Sequence, residues 1–243
     1  MRIERGRQDG GVSETVVMLH GFGGTARHWD RVLALTDRER YSPLALELAD
    51  AEPMSIAGAL DLVAGAAPER FVLCGYSMGG RVALHVAAAF PDRVSRLVLL
   101  STSAGIEDGR ARHERRASDE ALACSIEECS IEDFIARWRA TPLFARDPDW
   151  VHELVAADTR RLSPAAVAAT LRAFSAGTLE PLWERLGALA MPAVVLAGER
   201  DGAYCEIGER LAAALGDARF ELVGDAGHRV ALEAPEAVLS AFA

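Results

Sequence analysis

Gly75-Tyr76-Ser77-Met78-Gly79 sets a serine between two glycines where an apolar run, Phe71–Gly75, gives way to a helical pattern, Met78–Phe90. A reactive serine needs a sharp turn that lifts its oxygen clear of the chain. Such a turn closes only if the residues two before and two after it carry no side chain. The hydroxyl also needs a proton acceptor, and the acceptor needs a carboxylate to orient it. Of the six histidines, His228 alone lies just after a late strand, Arg219–Val223, and ahead of a closing helix. Asp201 follows the preceding strand, Ala193–Gly198, in the run Gly-Glu-Arg-Asp-Gly. Glu199 and Asp225 are rival carboxylates, but Glu199 stands nearer its strand end and Asp225 reads better as a turn residue bonded to its own backbone. Ser77, His228 and Asp201 are therefore the expected catalytic group. Charge developing on an oxygen needs amide donors, expected from Met78 and from Phe22 in the loop His20-Gly21-Phe22-Gly23-Gly24.

These residues must be brought together by strand ends. Thr15–His20, Tyr41–Leu48, Phe71–Gly75, Arg96–Ser101, Ala193–Gly198 and Arg219–Val223 read as extended runs. Helices are expected at Ile56–Ala67, Met78–Phe90, Ile207–Leu215 and Ala234–Phe242. Strands alternating with helices are joined by crossovers, which gives a mostly parallel sheet covered on both faces. All strand C-termini then share one edge, where ligands bind. From about residue 106 to 185 the pattern is helical and charged, with no strand. The expectation is an α/β core over 1–105 and 186–243, interrupted by an all-helical cap over 106–185.

The glycine loop, the serine elbow, Gly198-Glu199-Arg200-Asp201 and Gly227-His228, in the order Ser77, Asp201, His228, together resemble the α/β-hydrolase superfamily. A narrower resemblance runs through nearly the whole chain. It is carried by Arg81 after the elbow, Ser103-Ala104-Gly105-Ile106-Glu107, Arg112 to Asp119, Phe134-Ile135-Ala136-Arg137-Trp138 and Pro142-Leu143-Phe144. These runs resemble the 2-succinyl-6-hydroxy-2,4-cyclohexadiene-1-carboxylate (SHCHC) synthase family, lyases of menaquinone biosynthesis that eliminate pyruvate. The resemblance implies a small-molecule substrate, a ring bearing several carboxylates. It also implies that Tyr76, Arg81, Arg115 and Trp138 bind it, with one further arginine that matches Arg160 or its neighbour Arg161. Ser77, deprotonated by His228, would act there as a base on a ring proton.

Guanidinium forks suit such a substrate, because Asp201 would otherwise repel its carboxylates. The blander readings are that Arg81 and Arg115 are solvated helix charges and that Trp138 is cap core. Two other functions share the pattern: a hydrolase of an ester or carbon–carbon bond in a small acid, and a non-catalytic ligand-binding receptor. Arg229, directly after His228, departs from the small residue the resemblance leads one to expect, and would crowd the site or contact an anion.

Composition narrows the classes further. The chain has 243 residues, 36 acidic and 26 basic, every basic one an arginine, for a net charge of −10. That charge disfavours non-specific binding to nucleic acid or to an anionic membrane. No apolar run reaches the roughly 18 residues of a membrane span, and the charged stretch Met1–Gly11 lacks a signal peptide's apolar centre. Cys74, Cys124, Cys129 and Cys205 show no metal spacing, and Cys74 sits in an apolar strand as a core residue. A cytoplasmic protein without metal or organic cofactor is expected.

Overall fold

Six strands form one sheet: β1 (Glu14–Leu19), β2 (Tyr41–Leu46), β3 (Phe71–Tyr76), β4 (Val94–Leu100), β5 (Ala193–Gly198) and β6 (Ala218–Val223). Their order is β2-β1-β3-β4-β5-β6, and every neighbouring pair is parallel. The computed structural model describes residues 13–49 and 54–243, so Met1–Gly11 and the start of the 1–105 segment lie outside the described residues. The helices are α1 (Asp30–Leu35), α2 (Ile56–Ala66), α3 (Met78–Ala89), α4 (Gly109–Glu127), α5 (Ile131–Arg139), α6 (Asp149–Thr159), α7 (Pro164–Phe174), α8 (Gly202–Ala214), α9 (Val230–Glu233) and α10 (Pro235–Ser240).

Period-two alternation explains why strands this apolar are stable only inside a sandwich of helices. Val17, Leu19, Leu73, Leu97 and Leu99 join Val63 of α2, Val82 of α3 and Leu211 of α8 in one buried cluster. Their neighbours Val16, Met18, Val72, Cys74, Val98 and Leu100 join Val32 of α1, Val230 of α9 and Val238 of α10 in another. Cys74 is fully buried among them, a core residue.

Between β4 and β5 the described chain is helical and contains no strand. Three of the four helices α4 to α7 open on a local signal. Asp108 accepts the Ala111 amide at α4, Ser130 and Asp133 form a capping box at α5, and Ser163 caps α7 with Pro164 in its first turn. Ala123, Ile126, Phe134, Val167, Ala168 and Leu171 give these helices a small core of their own.

Three elements differ from their sequence reading. Helix α8 starts at Gly202 rather than Ile207, because the Asp201 carbonyl accepts the Tyr204 and Cys205 amides. A short helix, α9, precedes the closing one, and Ala234 (φ −138°, ψ 63°) breaks the chain between them ahead of Pro235. Helix α1 has only six residues, too few to leave a readable period.

Candidate active site

Ser77 occupies the turn from β3 into α3 with φ 52° and ψ −110°, a left-handed strain a serine adopts only when its surroundings hold it there. They do so by close approach. A Cβ on Gly75 would lie 2.5 Å from the Gly79 carbonyl oxygen and 2.7 Å from Gly80 Cα, and one on Gly79 would meet the backbone of Leu19 and His20. The Ser77 amide donates to Leu100 O at 2.8 Å, and its carbonyl accepts Gly80 N, Arg81 N and, at 2.6 Å, Thr102 Oγ1. The turn is thus fixed by β4 on one side and by α3 on the other.

His228 Nε2 lies 3.0 Å from Ser77 Oγ, and its Nδ1 lies 2.6 Å from Asp201 Oδ2. With Asp201 ionised, Nδ1 carries the proton and donates, which leaves Nε2 free to accept from the serine. Burial lowers the His228 pKa below its ordinary 6.5, opposed by the hydrogen bond and charge of Asp201 and assisted by Arg229. The imidazole is therefore neutral near pH 7, as a base must be. The rival carboxylates are engaged elsewhere. Glu199 accepts the Asp225 amide at 3.1 Å, and Asp225 occupies a turn with φ 55°.

Ser77 opens into a cavity of about 650 Å³ whose walls include Phe22, Tyr76, Met78, Arg81, Arg115 and Trp138. The Phe22 amide, in a loop, and the Met78 amide, in the first turn of α3, find no backbone acceptor among the described residues. Trp138 packs 5.0 Å from Phe22, ring to ring, so α5 rests on the loop that carries that amide. Tyr76 is stacked on His28 at 4.4 Å, and burial raises its hydroxyl pKa.

The arginines are not equivalent. Arg115 Nε contacts both Asp119 oxygens, at 2.8 and 2.7 Å. Arg81 makes one long hydrogen bond, Nη2 to Phe174 O at 3.4 Å, and its buried Nε has no partner. Burial, with Arg115 nearby, lowers its pKa. A half-buried guanidinium without a carboxylate has donors left for an anion to complete.

A family model described as Alpha/beta hydrolase family matches residues 16–241. The chain belongs to that family. Within it, the chain is similar to a Klebsiella pneumoniae protein named 2-succinyl-6-hydroxy-2,4-cyclohexadiene-1-carboxylate synthase, 31% identical over 94% of this chain and 92% of the relative. A Bacillus subtilis relative, provisionally given the same name, is 31% identical over 92% of this chain and 86% of its own. The solved structure of MenH from S. aureus superposes with a TM-score of 0.86 at 27% identity, covering 96% of this chain and 92% of that one.

Against this alpha/beta hydrolase frame, Arg160 stands apart from the Ser77 cavity. It binds Glu132 through Nε and Nη2, at 2.7 and 3.0 Å, and is half exposed beside a separate cavity of about 360 Å³. Arg161 lines a third, of about 140 Å³, with Arg27 and His28. Arg160 follows α6 and its fork is taken by Glu132 of α5, and neither it nor Arg161 lines the Ser77 cavity. Arg229 does not reach into the Ser77 cavity either; it is buried against Asp147.

Two wall residues were not singled out from the sequence. Tyr204 lies 4.6 Å from the His228 ring, in the first turn of α8, where its spacing from Asp201 could have flagged it. Arg210 stacks 3.8 Å over Trp183 and bonds Glu107 at 2.5 Å, a contact no local pattern announces. Among the described residues no cluster of histidine, cysteine or carboxylate groups could hold a metal ion, and no described helix is long and apolar enough to cross a membrane.

Proposed function

We propose that the protein is a lyase of the SHCHC-synthase type, acting in menaquinone biosynthesis to eliminate pyruvate from a ring bearing several carboxylates. The observation that carries this reading is Arg81: a half-buried cation whose buried Nε has no partner, one helical turn beyond Ser77 and in the same cavity. A pocket for neutral esters gains nothing from that cation, whereas a substrate carboxylate would complete its hydrogen bonding. Relatives bearing the synthase name over nearly their whole length support the same substrate class.

In this mechanism His228 Nε2 accepts the Ser77 proton, with Asp201 holding the imidazolium that results. The Ser77 oxygen removes a ring proton. The electrons of that C–H bond form the new ring double bond as the C–O bond to the enolpyruvyl group breaks. The leaving enolate takes the proton held by the His228 imidazolium and becomes pyruvate, which leaves Ser77 and His228 as they began. The Phe22 and Met78 amides hold the charge that develops on a substrate oxygen. Arg81 and Arg115 hold the carboxylates, with Tyr76 and Trp138 closing the walls, and no metal or organic cofactor takes part. Helices α4 to α7 act as the cap over this cleft, spanning about residues 106–185, and the protein works in the cytoplasm on a small molecule.

The deciding experiment is pyruvate release from the pathway precursor, generated in situ, with wild-type protein beside Ser77→Ala. Release well above the spontaneous background, lost in the variant, is the expected result. Background-level release by the wild type overturns the lyase reading and directs the next assays to ester and carbon–carbon hydrolysis, which the same three side chains could perform.

A further inference from the structure

Arg229 is buried with its side chain 5% exposed, and its Nε donates to Asp147 Oδ2 at 2.8 Å, a carboxylate itself 4% exposed. The two partners come from different parts of the molecule. Arg229 adjoins His228, and Asp147 closes the cap turn that joins α5 to α6. That turn is internally bonded, with the Phe144 and Ala145 amides donating to Thr141 O and the Asp147 amide to Phe144 O. Phe144 is held between charges and catalytic ring. The Arg229 guanidinium carbon lies 4.0 Å from the Phe144 ring centroid, and the Phe144 and His228 rings meet edge-on at 5.6 Å.

We propose that Arg229 and Asp147 form a charged latch that fixes the Thr141–Asp147 turn of the cap, and with it Phe144, against the edge of His228. Arg229 is then a positioning residue, acting through Phe144 and His228 rather than on substrate. The latch does not depend on which bond the enzyme cleaves; it rests only on Ser77 and His228 being the reactive pair.

A buried ion pair rarely stabilises a fold more than apolar residues of the same shape would, so its use lies in selecting one arrangement. Removing one partner strands the other, and the turn must move to bring water to it. Arg229 lines both neighbouring cavities, of about 140 and 360 Å³, so its loss also opens a route for water toward His228. The latch carries an electrostatic signature as well. The groups facing His228 are Ser77, Asp201, Tyr76, Tyr204, Arg229 and Asp147, with His28 behind Tyr76. Of the latch pair, Arg229 lowers the His228 pKa and Asp147 raises it.

Two measurements on the full chain test this: hydrogen exchange at the Phe144, Ala145 and Asp147 amides, and the pH dependence of Ser77 labelling by a fluorophosphonate, in which the serine oxygen displaces fluoride. The variants are Arg229→Met, Asp147→Asn, Arg229→Lys and the double Arg229→Met/Asp147→Leu. Each of the two single removals should speed exchange in the turn by about tenfold or more while β3 amides stay protected, and the double should return to within about threefold of wild type. The acid limb of labelling should move to higher pH in Arg229→Met and to lower pH in Asp147→Asn. A merely structural lesion would move both the same way.

Wild-type exchange in both single removals, or acid limbs shifting together, overturns the proposal. If a removal variant fails to fold, Arg229→Lys decides, since it keeps the charge and loses the planar stack on Phe144. It should speed exchange with little change in the acid limb, and unchanged exchange would refute the latch. A wild-type protein that does not label would instead count against Ser77 and His228 as the reactive pair, leaving exchange to judge the latch.

Discussion

At the scale of single residues, Arg81 separates stability from function. Its side chain is half-buried, with a buried, unpartnered Nε and one long bond to a carbonyl. Such a group destabilises the empty protein and becomes worthwhile only when an anion arrives. Arg81→Met should therefore lower kcat/KM by about ten- to a hundredfold, the scale of a lost hydrogen bond to a charged group. It should also leave the melting temperature unchanged or raised. Pyruvate-release kinetics and thermal melts on the same preparation check both halves, and a variant that melts lower with unchanged kinetics would make Arg81 structural. Legibility at this scale followed locality. Ser77 was readable because the glycines that permit its φ of 52° lie within two residues of it. Asp201 and His228 were readable because each follows a strand end. Arg160 was not, since its direction is set by Glu132 on another helix, 28 positions away in sequence. Arg229 was flagged as unusual, but its partner lies 82 positions off, beyond any local pattern.

Secondary-structure elements explain how the cap and the chemistry are coupled. The loop that carries the Phe22 amide is tied to the C-terminal end of α6. Asp158 accepts the Thr25 amide at 2.9 Å and the Thr25 hydroxyl at 2.5 Å, and Thr159 Oγ1 donates to Gly23 O at 2.6 Å. Helix α6 thus holds the loop from which the proposed mechanism draws its Phe22 donor. Asp158→Ala removes two of these three ties, and the loop should lose definition without the sheet being touched. The expected outcome is a kcat lowered about tenfold with KM changed much less, because a donor displaced by a fraction of an ångström serves the transition state more poorly than the ground state. Steady-state kinetics read the split, and a change confined to KM would refute the coupling. The strands were legible from their apolar runs and the cap helices from their pattern. The six-residue α1 and the break at Ala234 were not, since both are decided by packing against the sheet face and by Pro235 rather than by periodicity.

For the whole molecule, several partly or fully buried histidines make folding and protonation compete. His28, sealed beside Tyr76 and near Arg229, has its pKa lowered well below 6.5, chiefly by burial. His228 is lowered for the same leading reason. His85 is lowered too, more weakly protected from water. When a folded-state pKa lies below the unfolded value, the unfolded chain binds more protons between the two, so stability is full above the unfolded pKa and is lost as pH falls beneath it. The window therefore opens at about pH 6.5 and extends downward. A histidine that stays neutral in the folded state contributes a slope of up to about 1.4 kcal/mol per pH unit there, and His28 is the leading contributor. Glu47, whose pKa is lowered by its His20 contact against the cost of burial, adds to the loss only at lower pH, below its ordinary 4.5. Glu233, raised by burial, runs the other way, because the folded state then holds the extra proton. For a chain of this length, 1.4 kcal/mol is about 3–6 °C of melting temperature. Thermal melts between about pH 7 and pH 5.5 should fall by that order per unit, and His28→Gln should remove the largest share of the slope. A wild-type melting temperature flat across that range would mean that the His28 and His228 rings accept protons without unfolding, and that water reaches them through the cavities beside Arg229.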